Sequence, residues 1–135
     1  MATHNIELGK DGENAACNFL SEQGYTVICR NYRASHDEID IIAKKDKYTV
    51  FVEVKTRTDV PYTKFGRPAA AVTARKRVCL ARAALQYLKD DTDKTSFYRF
   101  DVIEVIVTTD RVTNKRHFNF NHMKSVFGAE GKIWI

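Results

Sequence analysis

The sequence predicts an α/β protein, a mixed sheet with helices on both faces, folded as one domain of 135 residues. Three observations carry this. An amphipathic stretch, Asn5 to Gln23, is closed by Gly24, as a C′ glycine commonly closes a helix. Short runs rich in Val, Ile, Phe and Tyr follow it, separated by polar turns. A second amphipathic stretch separates the third of these runs from the fourth. The order is α-β-β-β-α-β with one more β at the end, which suits a sheet covered by helices.

The first strand is expected over Tyr25 to Arg30, and Ala34-Ser-His-Asp is a turn. Ile39 to Ala43 and Tyr48 to Lys55 read as a hairpin around Lys44-Lys45-Asp46-Lys47. Thr58 to Arg67, with Pro61 and Gly66, reads as a polar loop. The second helix begins at Pro68 or Thr73 and ends at Lys89, with Thr73 a suitable N-cap. Tyr98 to Thr108 is a strand, Asp110 to Lys115 a turn and Arg116 to Phe120 a short strand. The core therefore runs from about residue 5 to 120. The tail, 121–135, carries one expected helical turn at His122 to Phe127 and a packing anchor at Trp134.

Bulk composition narrows the function classes. The chain is 44% hydrophobic and 29% charged, as soluble globular domains are. No apolar run is long enough to span a bilayer, and Met-Ala-Thr-His-Asn has neither the basic nor the apolar region of a signal peptide. Cys17, Cys29 and Cys79 form no Cys-x-x-Cys pair, so they read as reduced core thiols rather than a zinc site or disulfide frame. A cytoplasmic protein is the expectation. The net charge of +5 and pI near 9.2 direct attention to polyanionic partners, nucleic acid first.

Against that basic background, acidic groups sit where core side chains belong. If the hairpin turn centres between Asp46 and Lys47, a constant index sum places Asp40 directly across from Glu53. Such neighbours have Cβ atoms about 4.5–5.5 Å apart. Glu53 and Lys55, two apart, share a face. Two carboxylates and a lysine then converge on otherwise apolar strands, which is costly unless they are paired or bind a cation. The like charges should raise one carboxyl pKa unless a cation lies between them. Oxygen donors of this kind favour Mg²⁺ or Mn²⁺.

Further charges lie in apolar stripes. Glu13 shares a helix face with Ala16, Cys17 and Leu20, so it either points inward at this site or sits at the helix rim with an arginine. Gly9 and Gly12 would let that helix approach a strand or a phosphate closely. Lys76 falls in the stripe Val72, Cys79, Leu80, Ala83, Tyr87 and either snorkels to water or reaches the site edge. Arg57 continues the face of Lys55, for a phosphate or for a salt bridge to Asp101 or another carboxylate. Asp101 faces the same way as Ile103 and Val105 and needs a buried partner, a structural role. No histidine is assigned to chemistry.

Gly9-x-x-Gly12-Glu13, Glu38-Ile-Asp40, Phe51-Val-Glu53-Val-Lys55-Thr-Arg57, Lys76 and Arg99-Phe-Asp101 together resemble the small bacterial YraN-like proteins. These are similar to Holliday-junction resolvases of the PD-(D/E)xK nuclease superfamily. The resemblance spans Gly9 to about Phe120, with Ile39 standing where the superfamily name has Pro. It implies a restriction-endonuclease-like α-β-β-β-α-β core. It implies that Asp40 and Glu53 are metal ligands, that Lys55 lies near the attacking water, and that Glu13 is the acidic residue of the first helix. The expected activity is Mg²⁺- or Mn²⁺-dependent hydrolysis of DNA phosphodiesters, with the Val54 carbonyl and Glu13 as added ligands. The DNA would be branched, duplex or single-stranded, and Arg57, Lys64, Arg67 and Lys76 would contact it. A monomer or homodimer would do this work. The alternatives are a non-catalytic nucleic-acid-binding module on the same fold, or an adaptor whose basic surface meets acidic proteins.

Overall fold

The computed structural model describes residues 2–58 and 72–127, with side chains over 7–58 and 72–126. Within them the chain forms α1 (Ala2–Glu22), β1 (Thr26–Ala34), β2 (Asp37–Lys45), β3 (Tyr48–Thr58), α2 (Ala74–Asp90), β4 (Phe97–Thr109) and β5 (Arg116–Phe127). The described strands form one five-stranded sheet in the order β1-β2-β3-β4-β5. All neighbours are antiparallel except β3 and β4, which are parallel and joined through α2, as a crossover requires.

Local chemistry sets the boundaries. Gly24, at φ 91°, ends α1, and the Tyr25 N–H returns to the Leu20 carbonyl at 2.9 Å. The Thr73 hydroxyl accepts from the Lys76 N–H at 3.1 Å and starts α2. Asp46, at φ 53°, supplies the positive torsion that a two-residue hairpin loop demands.

The two sheet faces bury separate clusters. Ala16 and Leu20 of α1 pack on Ile41, Ala43, Val50, Val52, Ile103 and Val105. Leu80, Ala83 and Ala84 of α2 pack on Ile39, Ile42, Phe51, Phe100 and Val102. Ile39 and Ile42 are three apart yet share a cluster, and so are Cys29 and Tyr32. A regular strand alternates faces with period two, so both strands must kink between these residues. The kink falls at Asn31, in the left-handed region at φ 52°, and at Asp40, residues absent from the β1–β2 register.

β5 departs from expectation. The turn of helix expected over His122 to Phe127 is a continuation of the strand. His122 pairs with Ile103 and Met123 with Val102, and Ser125, at φ 53°, bulges where the register shifts. Asp101 explains the extension. His122 Nε2 lies 2.7 Å from its Oδ2, and the Ser125 N–H donates to its Oδ1 at 3.1 Å. Arg99 adds a fork to the same carboxylate and bonds the Tyr25 hydroxyl. Burial alone would raise the Asp101 pKa, but these donors hold it below the usual carboxylate range. Asp101 thus has the buried partners its position requires. The loop residues Pro61, Tyr62, Lys64, Gly66 and Arg67, and the anchor Trp134, lie outside the described residues.

Candidate metal centre

The hairpin register is Ile41↔Val52, Ile42↔Phe51 and so on to Lys45↔Tyr48. The next step of that register sets Asp40 beside Glu53, where β2 kinks away. The Val54 N–H is satisfied there by a side chain, donating to Asp40 Oδ2 at 2.8 Å. The fork therefore turns the Asp40 carboxyl into the gap between the strands, next to Glu53.

Glu53 is 6% exposed. Lys55 Nζ lies 3.5 Å and Lys76 Nζ 3.7 Å from its Oε2. Its other oxygen, Oε1, is buried with no hydrogen-bond partner among the described residues. Burial, then the Glu53 charge, push the Asp40 pKa up to about 7, against the pull of the Val54 N–H. Asp40 therefore keeps its proton up to about neutrality, because burial and a neighbouring carboxylate both oppose its ionisation.

Lys76 reaches this pair from α2, at the edge of the site. Arg57 takes the salt-bridge alternative: its Nε lies 2.6 Å from Glu104 Oε2. Glu104 is 2% exposed and stands beside Lys55 in the β3–β4 register. Glu104 is a further buried acid here, absent from the expectations drawn from the sequence. Its signal was an acid inside Val102-Ile-Glu104-Val-Ile106, a run otherwise fit for a fully buried strand.

Glu13 faces the other wall of the fork. With Leu8, Gly9, Asn31, Glu38, Asp40, Val54 and Thr56 it lines a recess of about 400 Å³. Its Oε1 accepts from Arg30 Nε at 3.2 Å, Arg30 Nη2 at 3.0 Å and Asn31 Nδ2 at 3.0 Å. Glu13 is thus both turned towards the site and paired with an arginine. Gly12 permits the close approach expected of it, since a Cβ there would meet Thr56 Oγ1 at 2.0 Å. Gly9 faces open space. Among the described residues no three His, Cys, Asp or Glu side chains are grouped to hold a metal ion. Asp40 and Glu53 are a pair, and any further ligand would be a backbone carbonyl, a water or a shifted Glu13. Lys64 and Arg67 lie outside the described residues. Cys17, Cys29 and Cys79 are free, half-buried thiols. No described helix is long and apolar enough to cross a membrane.

Fold and site together define a class: a mixed α/β protein with an acidic pair, buried Glu53 and half-buried Asp40, and two lysines at the fork of its central strands. The family is shown by comparison. Residues 12–105 match the model of the uncharacterised protein family UPF0102, and the chain belongs to that family. A UPF0102 protein of Chloroherpeton thalassium is 45% identical over 103 residues, 76% of this chain and 78% of the relative. One from Chlorobaculum parvum is 41% identical over 120 residues, covering 89% of this chain and 91% of the relative. The small bacterial family expected from the motifs is therefore the family found.

Proposed function

We propose that the protein is a divalent-metal-dependent endonuclease that hydrolyses DNA phosphodiester bonds on a restriction-endonuclease-like core. The observation that carries this is the pair Asp40 and Glu53, with a raised Asp40 pKa and a buried, unpartnered Glu53 Oε1. A hard cation between these groups would satisfy the orphaned oxygen and offset the burial and like charge that raise the pKa. The donor set of carboxylate and carbonyl oxygens fits Mg²⁺ or Mn²⁺. Asp40, Glu53 and the Val54 carbonyl would hold the ion, with Glu13 joining through a water. Bound there, the ion would acidify a water and offset charge gathering on the phosphate.

The chain's own residues supply the rest. Asp40 must lose its proton before the pair can take a cation, so loading strengthens through neutral pH. Lys55 is 3.5 Å from Glu53 Oε2 and is placed to orient the attacking water. Lys76, 3.7 Å from the same oxygen, is placed to hold a phosphate oxygen. Arg57, held through Nε by buried Glu104, presents its guanidinium near the same strand end as a backbone contact. The clamp of Arg30 and Asn31 on Glu13 favours one alternative, a nucleic-acid-binding module with an incomplete ligand set.

The test is a labelled panel of four-way junction, flap, duplex, single-stranded DNA and RNA, with Mg²⁺ or Mn²⁺. Cleavage should require the metal and should fall at least a hundredfold in Asp40→Asn and Glu53→Gln. Cleavage surviving both substitutions would refute the site. Tight binding without cleavage would favour the binding module.

A further inference from the structure

We propose that the hairpin end of the sheet is a separate binding surface for single-stranded nucleic acid. Tyr48 and Phe97 are partners in the β3–β4 register, with ring centroids 5.3 Å apart. The Arg99 guanidinium covers the Tyr48 ring at 5.2 Å. Arg99 is fixed in turn by Asp101. The result is a cluster of guanidinium, phenol and phenyl in which Phe97, tilted 32° to the Tyr48 ring, is 52% exposed. An aromatic ring backed this way is a rigid platform with one open side.

Lysines surround it. Lys45, Lys47 and Lys124 line the same recess, of about 330 Å³, with Tyr25, Tyr48 and Phe97. Lys94 lines the adjoining one with Lys45 and Lys47. Lys45 is placed against the Tyr25 ring at 4.9 Å and the Gln23 carbonyl at 2.8 Å. The ammonium groups of Lys47 and Lys124 have no ion-pair or hydrogen-bond partner among the described residues. Asp46 and Asp93 are the acids here, and Asp93 lies 3.6 Å from Lys44. The balance is cationic.

An exposed aromatic platform within a ring of lysines is what unpaired bases on a phosphate backbone require. The ring accepts a base by stacking, and the ammoniums accept phosphates. A duplex hides its base faces and would use the lysines alone. A purely apolar partner would leave the lysines unmatched. Glu53 lies five residues along β3 from Tyr48, so the surface is about 17 Å from the acidic pair at the usual rise. A short oligonucleotide can therefore occupy it without reaching Asp40, and the inference does not rest on cleavage.

Fluorescence anisotropy of a labelled four-residue oligothymidylate, about 10 Å long at a stacked rise of ~3.4 Å per nucleotide, with EDTA present, reads it directly. Asp40→Asn should bind like the parent, and a matched duplex should bind more weakly. Phe97→Ala should weaken binding about tenfold, roughly 1.4 kcal/mol, while Phe97→Trp retains it. Lys47→Ala with Lys124→Ala should reduce the slope of log K against log salt by about 1.4, two single-strand phosphate contacts. The lysine variant changes only surface groups, so it reads the site even if Phe97→Ala folds poorly. Binding within twofold of the parent in folded Phe97→Ala would overturn the proposal. So would an unchanged salt slope, or self-association that Phe97→Ala abolishes in a protein that binds no oligonucleotide.

Discussion

Replacing Asp40 by Asn should stabilise the metal-free protein, and more so as pH rises. The Asp40 pKa moves from an ordinary 3.8 to about 7 on folding. A carboxyl whose folded pKa is raised costs nothing below its unfolded value, where both states hold the proton. As pH rises from 3.8 to about 7, the unfolded chain ionises first and the native state loses stability. At about 1.36 kcal/mol per unit, the full loss above pH 7 is about 4 kcal/mol. Between pH 5 and pH 8 the share is about 2–3 kcal/mol. An asparagine keeps an oxygen for the Val54 N–H and brings no charge to desolvate beside Glu53. Urea unfolding of parent and Asp40→Asn in EDTA, at pH 5 and pH 8, measures the quantity directly. Groups that do not interact with Asp40 are common to both proteins and cancel in the difference. The stability gap should widen in favour of Asp40→Asn by about 2–3 kcal/mol at the higher pH. A gap that stays constant within about 0.5 kcal/mol would refute the coupled carboxyl pair. The same titration gives a metal readout free of any activity. At pH 8, Mn²⁺ at about one hundred times its Kd should add about 2.7 kcal/mol to the parent, and little to Asp40→Asn.

Two further substitutions test the frame that holds the site. Gly12→Ala should destabilise by about 1–3 kcal/mol, because the new Cβ meets Thr56 Oγ1 at 2.0 Å, and Thr56→Gly in the same chain should return much of the loss, read by urea midpoints. Asp101→Ala should cost about 3–5 kcal/mol, since it strands the half-buried Arg99 and His122 around a buried site. The loss should shrink as pH falls through the native Asp101 pKa, held below 3.8, where the parent's own carboxylate is protonated and its advantage disappears.

These residues also mark how far a sequence can be read. The central hairpin was legible because two signals agreed: a polar turn, and apolar alternation on both sides of it. That agreement set the register, and the register set Asp40 beside Glu53. The membership of Lys76 was half legible. Its place in an apolar stripe was plain, but which side of the sheet α2 would cover could not be read from the helix itself. Glu104 was missed because a single acid in a strand has the same pattern whether it faces solvent or the core. Burial on β4 depends on α2 and β3, which are remote in sequence. Asn31 was invisible for another reason. Asparagine tolerates the left-handed region at low cost, so its presence in a strand announces nothing.

The misread end of β5 is the more instructive case. Asn121 to Phe127 has no period-two pattern, because Ser125 bulges and one strand edge is open. Local propensity alone leaves that segment undecided. What decides it is Asp101, whose carboxylate needs donors and takes them from His122 and from the Ser125 backbone. An unpaired buried carboxylate would cost several kcal/mol, more than any difference in local propensity over one helical turn. The same residue also orders Arg99, which backs Tyr48 beneath Phe97. One buried acid therefore fixes the last strand and stiffens the aromatic platform at the same end of the sheet. Asp101→Asn should accordingly weaken oligothymidylate binding at the hairpin end while leaving the Asp40–Glu53 pair, which lies in mid-β3 beside Lys76 of α2, with its pH dependence intact. Loss of both together would mean that Asp101 supports only the fold as a whole.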